Sequence, residues 1–102
     1  MTACSANDAT SNVANLDAPA ARACQAVRAV IRGRAAGAVT PADLRARLQA
    51  AYNEAQTSAN PVIRARAVAL FTDATEIATG GTGQSLGADL TAMDRSCSGQ
   101  DG

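Results

Sequence analysis

Two cysteines most constrain what this chain can fold into. Cys24 and Cys97 each fall on the apolar stripe of a different amphipathic segment, near opposite ends of the patterned region. Ala20, Cys24, Val27 and Ile31 step by four, three and four residues, with Val30 widening the stripe. Leu86, Leu90, Met93 and Cys97 step in the same way. Between them, Leu44, Leu48, Ala51, Tyr52 and Ala55 share one helical face. Ile63, Ala67, Leu70, Ala74 and Ile77 form a heptad-like seam with Phe71 beside it. These spacings bring apolar groups round once per helical turn, and no segment alternates with the period of a strand.

Local punctuation sets the helix ends. Asp17 is a candidate N-cap with Pro19 in the first turn, and the first helix is predicted over 18–36, with Gly37 as its stop. Thr40-Pro41, followed by Asp43, opens a second helix that should fade near Thr57. Asn60-Pro61 opens a third, which Gly80-Gly81 ends. A short fourth helix is expected over about 84–97. Residues 1–16 are polar and weakly periodic and read as a flexible leader or tether. The domain is then 17–97, with a frayed tail at 98–102.

Four such helices with short connections predict an all-α, up-down-up-down four-helix bundle. In that topology the first and fourth helices are antiparallel neighbours, so Cys24 and Cys97 meet at one end and are expected to form a disulfide. Closing a loop of roughly 73 residues contributes on the order of 4 kcal/mol through chain entropy. The composition makes that staple matter. There are 26 alanines, no Trp, one Tyr and one Phe, so the core must be thin and its helices close together.

The formal net charge is zero, which gives no global pull toward nucleic acid or membrane. The distribution is uneven. Eight of the nine arginines lie between residues 22 and 66, whereas the last third is acidic, and lysine is absent. Arg28, Arg32, Arg45, Arg64 and Arg66 are the candidate partner-binding basic face, because guanidinium forks suit phosphate and carboxylate. Pairing with the acidic second half is the simpler use of the same residues. Single-stranded nucleic acid is disfavoured as a partner, since only Tyr52 and Phe71 are available for stacking and both are expected in the core.

Other chemistry is thinly represented. With no His and no CxxC spacing, neither a metal site nor a cofactor is expected. Glu54, Asp73 and Glu76 are read as solvated carboxylates, although Asp73 and Glu76 share a face. The Gly80–Gly87 stretch looks like a phosphate-cradling loop but follows a helix and lacks the Walker lysine. No Ser or Cys nucleophile has a base partner, so a non-enzymatic protein is expected.

Cys4 stands apart. Thr2-Ala3-Cys4-Ser5 resembles the end of a bacterial lipobox, in which small residues precede a cysteine that becomes lipidated, with Met1 where Leu is usual. Together with the Ala/Arg-rich, lysine-free composition, this makes the chain similar to small actinobacterial-type secreted or cell-envelope lipoproteins. No complete signal peptide is visible, as expected of a mature or engineered start. The resemblance implies an extracytoplasmic location and membrane contact only through a lipid on Cys4. It also implies a partner that is another envelope protein or an anionic envelope polymer. Two alternatives stand beside this reading: a carrier or sensor of a small apolar ligand, and a cytosolic helical regulatory or adaptor protein.

Overall fold

A computed structural model describes residues 16–99, and these are all-helical apart from their connections. The helices are α1 (Ala18–Ala35), α2 (Pro41–Gln56), α3 (Pro61–Ala78) and α4 (Leu86–Cys97). Each helix packs against the next, and α1 also packs against α4, which closes the up-down-up-down bundle.

The predicted punctuation acts as local physics requires. Asp17 Oδ1 accepts from the Ala20 amide, Thr40 Oγ1 from the Asp43 amide, and Asn60 Oδ1 from the amides of Val62 and Ile63. At the other ends, α1 and α3 close with paired backbone bonds. Ala38 N donates to Gly33 O and Gly37 N to Arg34 O; Gly81 N donates to Glu76 O and Gly80 N to Ile77 O. Both closures need a left-handed residue, which Gly37 (φ 69°) and Gly80 (φ 97°) supply without a Cβ penalty.

The core is thin, as its alanine content requires. Its largest fully buried side chains are Leu48, Ile63, Leu70, Met93, Val27 and Val30, with Ala20, Ala23, Ala51, Ala55, Ala67 and Ala74 filling the close approaches. Two expectations shift. In α1 the expected Ala20, Cys24, Val27 and Val30 are buried, but Ala23 joins them and Ile31 is only partly covered, because α1 must serve seams with both α2 and α4. Tyr52 and Phe71 are half-buried rather than central and stack on each other, with ring centroids 4.9 Å apart, across the α2–α3 seam.

Cys24 and Cys97 form the expected disulfide, with Cα atoms 5.9 Å apart. Both cysteines are buried. The domain edges are tighter than expected. Leu16, assigned to the leader, packs against the core. Ser98, assigned to the frayed tail, donates to Asp94 O and accepts from Arg28 Nη2. The rest of the leader, including Cys4, and residues 100–102 lie outside the described residues.

Candidate functional site

The up-down course puts the C-terminus of α1, the N-terminus of α2, the C-terminus of α3 and the N-terminus of α4 at one end, here the distal end. The disulfide lies toward the opposite, proximal end.

The proximal end is tied together by polar bonds. Asp17 caps α1 and also reaches the α2–α3 turn. Its Oδ1 accepts from Ser58 Oγ at 2.6 Å and its Oδ2 from the Ala59 amide at 2.7 Å. Ser58 Oγ in turn accepts from Asn60 N. These donors hold the Asp17 carboxyl below the usual aspartate range, the Ser58 hydroxyl first among them. The sequence marked Asp17 only as a cap. Its second role depends on a residue 41 positions away, which no local pattern announces.

The basic-face residues divide in two. Arg28 is committed within the bundle: Nε donates to Asp94 Oδ1 at 3.0 Å and Nη2 to Ser98 Oγ at 3.2 Å, joining α1 to α4 near the disulfide. Arg64 Nη1 donates to the Ser58 carbonyl at 2.7 Å, and Arg66 Nε reaches Ser96 Oγ of α4 at 3.3 Å. Arg22, outside that set, pairs with Glu54 at an exposed site, where such bridges contribute little. Arg32 and Arg45, by contrast, are exposed, as are Arg34 and Arg47. Arg32 and Arg34 occupy the last turn of α1, and Arg45 and Arg47 follow the first turn of α2. All four therefore gather at the distal end, on its α1–α2 side. Arg45 also lines a surface cleft of about 570 Å³ with Pro41, Ala42, Ala46, Gln49, Ile77 and Ala78.

The α3–α4 side of the distal end is acidic, and here the structure corrects the sequence. Asp73, read as solvated, is only 6% exposed. Desolvation raises its carboxyl from 3.8 to about 7, with contact from Asp89 and the charges of Asp89 and Glu76 adding to the shift. The Gly80–Gly87 stretch is a connection packed by contact of Gly83 with Ile77, and it leads into the first turn of α4, where Asp89 already places a negative charge. Asp89 and Glu76 at that end oppose an incoming phosphate, so the phosphate-loop likeness has no chemical support there.

Among the described residues, no group of three or more His, Cys, Asp or Glu side chains is arranged to hold a metal ion. No described helix is long and apolar enough to cross a membrane. No protein-family model, no curated protein and no solved structure matches this chain.

Proposed function

We propose that this chain is a non-enzymatic helical interaction module of the bacterial cell envelope. It acts outside the cytoplasm, is held at the membrane surface through Cys4, and binds an anionic envelope component through the arginines of its distal end. The observation that carries this reading is the buried Cys24–Cys97 disulfide, since such bonds persist in oxidising compartments and are rare where thiols are kept reduced. The partner class follows from charge. Arg32, Arg34, Arg45 and Arg47 are clustered and exposed, and guanidinium groups suit phosphate or carboxylate polymers.

Two measurements test the reading. Chain made in an oxidising compartment is expected to show one reactive thiol after denaturation, with Cys24 and Cys97 joined in one peptide by mass mapping. Three reactive thiols would move the protein to the cytosolic adaptor alternative. Calorimetry against purified teichoic acid is expected to give salt-sensitive binding that Arg32→Glu with Arg45→Glu weakens at least tenfold, with Arg95→Glu as a control remote from the distal arginines. Equal affinity in all three proteins would remove the distal arginines from the interface.

A further inference from the structure

Asp73 is the one described residue that carries a buried side-chain oxygen, Oδ2, with no hydrogen-bond donor against it. Such an atom is costly in a folded chain unless something satisfies it. The neighbour that acts on this carboxyl across the α3–α4 seam is Asp89. The register supports that pairing independently. Arg66 of α3 meets Ser96 of α4. Moving seven residues along α3 and seven back along α4 arrives at Asp73 and Asp89. Two heptad steps on antiparallel helices return to the same seam.

Two ionised carboxylates accept hydrogen bonds and cannot donate one to each other. A single proton changes that, making one carboxyl a donor and the other its acceptor. Asp73 is the buried member, where charge is disfavoured. Asp89 is half-exposed in the first turn of α4, where the helix dipole favours negative charge. The geometry points to a proton-binding site in which protonated Asp73 donates to ionised Asp89 and clasps the N-terminal half of α4 to α3. Loss of that proton frees this half of α4, while the Cys24–Cys97 disulfide and the Arg28–Asp94 pair keep the other half on α1.

The charged groups acting on Asp73 are Asp89 from α4 and Glu76 from its own helix; none from α1 or α2 contributes among the described residues. Both are acidic, so neither supplies a cation in place of the proton. Unlike a salt-bridged aspartate, Asp73 has its carboxyl raised, to about 7 from 3.8. Below pH 3.8 the proton is bound whether the seam is closed or open. Between 3.8 and about 7 the closed seam holds a proton that the open one releases, so closure weakens as pH rises. Above about 7 both forms are ionised and the pH dependence ends.

The test is carboxyl carbon NMR of the intact, disulfide-bonded chain, combined with amide hydrogen exchange corrected for intrinsic rate. The Asp73 carboxyl is expected to titrate near neutrality, and opening of the 86–92 amides to rise at least tenfold between pH 5 and pH 7.5, since one linked proton gives up to tenfold per pH unit. The 94–97 amides should not follow. Asp73→Asn should make exchange of 86–92 independent of pH in the same range. An Asp73 signal that titrates below pH 5 in the wild-type chain overturns the inference, and that measurement does not depend on whether the variant folds. Millimolar calcium that shifts both carboxyl signals at pH 8 would mark the pair as a cation site and equally overturn it.

Discussion

Asp17 shows how one side chain holds two elements. Its carboxylate satisfies an orphan amide of α1 and two donors of the α2–α3 turn at once. Replacing it with Ala leaves the Ala20 and Ala59 amides and the Ser58 hydroxyl to find water. Asp17→Ala is therefore expected to lower the urea midpoint, and Asp17→Asn to lower it less, because the amide oxygen still accepts. The pH dependence separates this residue from Asp73. The Asp17 carboxyl is held down in the folded chain, so its contribution is present above its ordinary value of 3.8 and fades as acid protonates it. Asp73 acts with the opposite sign, losing stabilisation as pH rises toward about 7. Urea unfolding from pH 2 to pH 9 is expected to pass through a maximum in the mildly acidic range. In Asp73→Asn the alkaline side of that maximum should flatten.

At the level of the element, helix ends are closed by small local devices that tertiary contacts then constrain. Gly33 lies inside α1, where Ala would ordinarily be favoured by about 1 kcal/mol. A Cβ at that position runs into the Val39 side chain of the α1–α2 connection, itself packed on the core. Gly33→Ala is therefore expected to destabilise the wild-type chain. In a Val39→Ala background the same change should stabilise by roughly 1 kcal/mol, because the obstruction is gone and the propensity gain remains. A double-mutant cycle by chemical denaturation checks the reversal of sign, and additive effects would show that Val39 moves aside freely. Gly37 is a contrasting case. Nothing lies within 4 Å of a Cβ there, yet its φ of 69° makes Gly37→Ala cost about 1 kcal/mol from backbone strain alone.

For the molecule as a whole, a core built on alanine buries little area per residue, and the disulfide compensates by restricting the unfolded chain. With 73 residues separating the cysteines, Cys97→Ser is expected to cost about 4 kcal/mol, read as a drop in the denaturation midpoint. Reduction of the wild-type chain should match it. The staple sits toward the proximal end, together with the Asp17 hub and the Arg28–Asp94 pair. The distal end holds the exposed arginines on one side and the acidic seam on the other. The exposed arginines thus lie away from the staple, so substitutions at Arg32, Arg34, Arg45 and Arg47 are expected to leave the unfolding free energy within about 0.5 kcal/mol of wild type.

The sequence by itself determined the number and span of the helices, the bundle order and the cysteine pairing. Helix number and span rest on signals carried within a few residues: Thr40-Pro41, Asn60-Pro61, Gly37 and Gly80, and apolar groups repeating by threes and fours; the bundle order and the cysteine pairing follow from joining four such helices by short connections. Helix ends satisfy their own backbone groups locally, so local residues report them. Only the tertiary structure decided how each helix is rotated about its axis and which side chains meet across a seam. That rotation covers Ala23 ahead of Ile31, binds Arg28, Arg64 and Arg66 within the bundle while leaving Arg32 and Arg45 exposed, and buries Asp73. Asp73 is next to the buried Ala74 of α3, and the packing of α4 on α3 takes its carboxyl out of water. Its neighbour Asp89 comes from another helix, and cross-helix register is set by the packing of all four.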